Sequence, residues 1–247
     1  MGRPLVRAPA GALVLHRVPR EPVAAVLLLH GGRAEGLGAP PRPNLPGLRM
    51  RPFARAVAGS RAARDVVVAE VRYEHRGWNG HRADPVHDVW QALRELCCVA
   101  GPLPVVLVGH SMGGRAALRA AADPLVRAVV GLAPWCPPGE PVLHLGDTAV
   151  VLLHDEADRV TDAQGSWDYV RRARARGARA AGIAMPTGGH AMVRGAPAWH
   201  RIARDTALGL LELAPLPDTL FTDPVPTPPG PAARGRQPVS GPGRPWR

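Results

Sequence analysis

The chain has 247 residues, 46% of them hydrophobic, enough to bury one sizeable core and of a length at which α/β domains commonly fold as a single unit. Its net charge of +11 comes from 31 basic residues against 20 acidic ones, and every basic residue is an arginine. Arg, Gly, Ala and Pro share GC-rich codons, so the basicity reads as compositional bias. With no P-loop, dinucleotide fingerprint or nucleic-acid module beside it, no nucleic-acid partner is expected.

At the N-terminus, Arg3 and Arg7 precede an apolar piece, Ala10 to Leu15, that His16 and Arg17 end too early for a signal peptide. No apolar run is long enough to span a bilayer, so a soluble, cytoplasmic protein without a membrane partner is expected. Leu13 to Val18 reads as a short strand. Val23 to Leu29 is continuously apolar, the pattern of a strand in a parallel sheet covered on both faces, and it ends in His30-Gly31-Gly32. Gly36 to Pro46 is a Gly- and Pro-rich loop, followed by a helix over Leu48 to Ala58. Asp65 to Val71 predicts the next strand, with a polar and aromatic exit loop from Arg72 to Arg82. Asp84 as N-cap and Pro85 at the first helical position start a helix whose apolar face carries Val89, Leu93 and Leu96. Cys97, Cys98 and Cys136 show no C-x-x-C spacing, which argues against a disulfide framework or a zinc site.

Further strands follow at Leu103 to Val108, Val126 to Leu132, Ala149 to Leu153 and around Ile183 to Met185. Helices are predicted at Met112 to Ala122, Gln164 to Arg176 and Ile202 to Leu213. The alternation predicts a mostly parallel sheet with helices on both faces, one domain over residues 1–221. Residues 222–247 are rich in Pro, Gly and Arg, lack apolar content, and read as a disordered tail. The run Arg171 to Arg179 is the densest basic cluster and reads as an exposed helix face.

The chemistry starts at Gly109-His110-Ser111-Met112-Gly113-Gly114. A G-x-S-x-G between an apolar strand and a helix is the sequence of a sharp turn that thrusts a serine hydroxyl out of the sheet edge. The glycines permit the close passage of strand and helix. The helix N-terminus brings the Met112 amide to an oxyanion. A serine nucleophile needs a base, and on this kind of elbow the triad follows in the order nucleophile, acid, histidine. His190, in the loop Thr187 to Met192 beyond the last strand, is the candidate base. His144 and His200 lie elsewhere in the pattern, and His154 ends a strand. The acid follows Ala149 to Leu153, among Asp155, Glu156, Asp158 and Asp162. Asp155 abuts the strand and Asp162 is placed to cap the next helix, while Asp158 falls between them, where a loop can turn it back toward His190, and is the candidate acid. The second oxyanion donor comes from the loop after Leu29, with Gly32 preferred and Arg33 its rival.

These motifs, His30-Gly31-Gly32, the Ser111 elbow, Asp158-Arg159-Val160 and Gly189-His190, resemble in order and spacing the α/β-hydrolase superfamily. The likeness covers about Leu13 to Leu213 and is nearest to small, cap-less bacterial hydrolases of the dienelactone-hydrolase or serine-esterase kind. The resemblance implies a single-domain α/β-hydrolase fold and hydrolysis of a small-molecule ester or thioester by an acyl-enzyme, with no cofactor and no metal. Dienelactone hydrolases carry cysteine at the position of Ser111, so their substrate is not implied, and family members often have Gly where Asp155 stands. Acyl transfer or peptidase action by the same triad, or a silent binding protein on this fold, are the alternatives. Only Pro134 to Thr148 separates two strands between which relatives insert a cap, so an open site is expected. Trp78 and Trp135 could line an apolar acyl pocket, and Arg33, Arg76 or Arg115 could meet a substrate carboxylate.

Overall fold

The computed structural model describes residues 11–227. Its centre is a seven-stranded sheet of β1 (Leu13–Arg17), β2 (Ala24–Leu29), β3 (Val66–Val71), β4 (Val105–His110), β5 (Val126–Leu132), β6 (Ala149–Asp155) and β7 (Ala180–Met185). The spatial order is β1-β3-β2-β4-β5-β6-β7; β1 runs antiparallel to β3 and every other pairing is parallel. Five helices connect the strands: α1 (Leu45–Ala58), α2 (Asp84–Ala100), α3 (Met112–Ala120), α4 (Ala163–Arg174) and α5 (Ala196–Leu210).

The uninterrupted apolar runs have the cause expected of them, since the sheet is covered on both faces. Leu27, Leu29, Leu107 and Val129 meet Val89, Leu93, Ala117 and Tyr169 of α2, α3 and α4. Their neighbours Val26, Leu28, Val106 and Val130 point the other way, against Met50 and Phe53 of α1 and Trp199 and Ala203 of α5. The chain moves outward from β2 to β3, then crosses back over β2 to β4. At such a reversal the loops leaving β2 and β4 diverge and open a crevice at the carboxyl ends of the strands. Among the described residues no helix is long and apolar enough to cross a membrane.

Several boundaries differ from expectation. Helix α1 starts at Leu45, where Asn44 caps it by accepting from the Gly47 amide and Pro46 fits the first turn. Asp84 is the first residue of α2 rather than its cap; Ala83, in the left-handed region at φ 47°, takes the cap position. The Asp84 carboxylate instead accepts from Asn79 at 2.6 Å and Arg82 at 2.9 Å. Helix α5 begins at Ala196, ahead of the expected Ile202, with a proline in its first turn.

The arginine run is largely engaged with the domain. Arg172 donates to the Glu140 carbonyl, Arg174 to the carbonyls of Ala180 and Asp223, and Arg179 stacks on Phe221. The domain also continues past residue 221: Val225 packs on the α2–α4 side of the core, and Pro226 lies beside Gly182 of β7. Residues 228–247, most of the expected tail, lie outside the described residues.

Candidate active site

Ser111 sits at the junction of β4 and α3 with φ 54° and ψ −120°, a strained conformation for a residue with a side chain. Surrounding structure enforces it. A side chain at Gly109 would strike the backbone of Gly113, and one at Gly113 would strike the backbone of Leu29 and His30, so strand and helix can pass this closely only over glycine. The Ser111 amide donates to Leu132, and its carbonyl accepts from Arg115 and Trp135, each at 3.1 Å. Ala133 and Met192, on neighbouring loops, also have positive φ.

The first helical bond of α3 is donated by Arg115, so the amides ahead of it lack intrahelical partners and face the Ser111 end. The opposing loop is held by a buried histidine. His30 Nδ1 donates to the Gly31 carbonyl at 2.7 Å and Nε2 accepts from Asn44 at 3.1 Å, a neutral tautomer that fits the lowering of its pKa by burial. The Arg33 amide is already bonded to the Arg76 carbonyl at 3.0 Å, which removes the rival to Gly32 as amide donor. The Met112 side chain lies against Gly32, so the two amides favoured for an oxyanion belong to residues in contact.

Asp158 and His190 come together across the ends of β6 and β7, with Oδ2 and Nδ1 2.9 Å apart. The Asp158 side chain is fully buried and that of His190 is 15% exposed. Burial alone would raise the Asp158 pKa. Hydrogen bonds from His154, His190 and the Val160 amide outweigh it and hold the carboxyl well below its ordinary range. An ionised Asp158 fixes the His190 proton on Nδ1 and leaves Nε2 as the lone-pair nitrogen.

The other acidic candidates have different employment. Asp155 accepts from the Ala157 amide at 2.9 Å and from the Gly189 amide at 2.6 Å, so it ties its own turn to the residue before His190. Asp162 caps α4 through the Gln164 amide, as expected from sequence. Glu156 is exposed. His144 donates to or accepts from nothing on this face; its Nε2 lies 2.7 Å from the Leu118 carbonyl, and His200 stacks edge-on against Phe53.

The two tryptophans meet, but not as walls of an open apolar pocket. Their rings form a T with centroids 6.1 Å apart, Trp78 is 3% exposed, and the Arg115 guanidinium lies over both rings at 4.0 and 4.4 Å. Arg115 Nε donates to Glu140, a buried carboxylate that also pairs with Arg119. Two surface concavities of about 580 and 680 Å³ lie away from Ser111, the larger beside the amino ends of β4, β5 and β6.

Three contacts had no signal in the sequence: His154 to Asp158, His110 to the His190 carbonyl, and Arg115 to Glu140. The last two join residues far apart in sequence, which only the tertiary fold brings together, whereas His154 and Asp158 lie four residues apart and meet through the turn that ends β6.

No protein-family model and no curated protein matches the chain. Solved structures do. One is the esterase Est2 of Thermogutta terrifontis with propionate bound, at TM-score 0.61 and 18% identity over 81% of this chain and 88% of that one. Another is MGS-M1, an alpha/beta hydrolase enzyme from a deep-sea metagenome library, at TM-score 0.61 and 16% identity over 80% and 92%. A third is the esterase domain of a Rhodothermus marinus protein, at TM-score 0.57 and 17% identity over 80% and 91%. The chain has the α/β-hydrolase fold. In this hydrolase fold the described connection from β5 to β6 is residues 133–148, with no helix in it, so no helical cap stands between those strands.

Proposed function

We propose that the protein is a serine hydrolase that cleaves a carboxylic ester or thioester through a covalent acyl-enzyme. The observation that carries this reading is the buried Asp158–His190 pair at 2.9 Å, set at the same sheet edge as a strained serine elbow. Ser111 Oγ attacks the acyl carbonyl and passes its proton to His190 Nε2, while Asp158 stabilises the imidazolium. The oxyanion accepts from the Met112 and Gly32 amides. The leaving alkoxide or thiolate departs with the His190 proton. Water then enters and loses a proton to His190 as it attacks the acyl carbonyl. The bond to Ser111 Oγ breaks as His190 returns that proton to Oγ, releasing the acid and the free serine.

The fold likeness to esterases, one of them holding propionate, supports a short acyl group as first choice of substrate. With Trp78 buried and Arg115 between the rings, Trp135 is the tryptophan left to meet substrate. Labelling by a fluorophosphonate tests the reading. Wild type takes the label and hydrolyses p-nitrophenyl acetate, and a folded Ser111→Ala variant does neither. A Ser111→Ala protein that keeps wild-type turnover refutes it.

A further inference from the structure

His154 stands outside this scheme, yet it touches the acid. It is the penultimate residue of β6, fully buried, with its ring edge-on to Trp167 of α4 at a centroid distance of 6.1 Å. Its Nε2 lies 3.2 Å from Asp158 Oδ2 and 3.3 Å from the Thr161 carbonyl oxygen. Both of those atoms are acceptors, so Nε2 carries the proton and donates. Its Nδ1, 2.7 Å from Ser166 Oγ, therefore accepts from the Ser166 hydroxyl, and Ser166 is itself fully buried on α4.

We propose that His154 is a positioning residue for the triad acid: anchored by Ser166, it donates to the same Asp158 oxygen that receives His190. It thereby fixes where that oxygen points and how strongly it holds the base. The proposal rests on the serine-hydrolase reading above. Oδ1 of Asp158 is held by the amides of Val160 at 2.7 Å and Thr161 at 3.2 Å, whereas Oδ2 meets only side chains, His190, Thr161 and His154. His154 is the one of these three fixed from the far side by a second helix. A buried carboxylate oxygen with an imidazole on either side divides its accepting capacity between them, so the inner donor tempers the pull on the outer one.

The groups facing this carboxylate are few. His154 comes from β6 and His190, with His110 behind it, from across the sheet edge. Asp155 is turned to the amides of Ala157 and Gly189. From α4, Ser166 and Trp167 face His154, and neither carries a charge.

The test uses His154→Leu, His154→Gln and Ser166→Ala in the full chain, with p-nitrophenyl acetate as probe. Leu removes the donor beside the buried carboxylate, and Asp158, still ionised, binds the His190 imidazolium more tightly. This moves the acidic limb of the kcat/KM profile to higher pH, by about one unit, and kcat falls about tenfold, the order of a lost hydrogen bond to a charged group. KM stays unchanged. Gln keeps an N–H donor and returns the limb most of the way. Ser166→Ala frees the ring without deleting it and gives a smaller shift in the same direction, which keeps the proposal testable if the leucine variant does not fold. A folded leucine variant with an unmoved limb, or a glutamine variant no better than leucine, overturns the proposal. Parallel assays of Ser111→Ala and Asp158→Asn separate the two claims: if those retain activity the triad reading fails, and if they are inactive while His154→Leu matches wild type, only the positioning role fails.

Discussion

His110 Nε2 lies 2.9 Å from the backbone carbonyl of His190, so the residue before Ser111 holds the chain that carries His190. The two rings are 4.8 Å apart, and burial, followed by the charge of His190, pushes the His110 pKa down to about 3. A neutral His110 with its proton on Nε2 is the species that can donate.

That bond gives a pH prediction. The unfolded chain protonates His110 near 6.5 while the folded chain resists until about pH 3. Between those values the unfolded state binds more protons, so stability is complete above about 6.5 and falls as the pH drops toward 3, by up to about 1.4 kcal/mol per unit. The Asp158 carboxyl, depressed below 3.8, adds its own loss only below that value. His110→Gln keeps a donor but removes the titration. His30 and His200, whose pKa values burial also lowers, add to the loss in both proteins, so urea melts on the acid side of pH 6.5 should show His110→Gln losing less stability than wild type by the His110 share.

The three aspartates near the site separate by role. Asp158→Asn deprives His190 of its orienting charge, and kcat should fall by roughly 10⁴. Asp155→Asn weakens the tie to Gly189 and should give an intermediate loss of kcat together with lower stability. Asp162→Ala removes a helix cap, costs about 1 kcal/mol, and should leave kcat unchanged. Denaturant melts beside steady-state kinetics distinguish these patterns.

Glu140 is 2% exposed and pairs with both Arg115 and Arg119. Glu140→Ala leaves two guanidinium groups without their carboxylate, one of them nearly buried, and should cost about 3 kcal/mol in a urea melt. The Trp78 and Trp135 rings lose their fixed cation as well, so tryptophan fluorescence should change in the folded variant.

The end of the domain can be located by truncation. Stopping after Phe221 removes Val225 and Pro226 from the α4–β7 surface and should cost about 1 kcal/mol. Stopping after Thr227 retains those contacts, and its melting temperature should exceed that of the shorter chain.

The sheet was legible because its strands are buried on both faces and so appear as unbroken apolar runs; β5, Val126–Leu132, is read at both ends. The elbow was legible because strand, turn and helix are contiguous in sequence. The start of α1 carried a readable signal in Asn44 and Pro46, which the surrounding Gly and Pro concealed. At the end of β6, His154 and Asp155 continue the strand because Ala184 and Met185 of β7 pair with them, which no local pattern encodes. The same holds for Arg115, whose helix position is plain but whose partner Glu140 lies 25 residues on in an irregular loop.

The central claim is that Ser111 becomes acylated. Rapid acid quench of the protein mixed with p-nitrophenyl propionate, followed by peptide mass analysis, tests it most directly. The account predicts one propionyl group on the peptide containing Ser111, formed in step with a burst of p-nitrophenol and absent from Ser111→Ala. Steady ester turnover with no acylated peptide, or acylation at another residue that persists in Ser111→Ala, would contradict it.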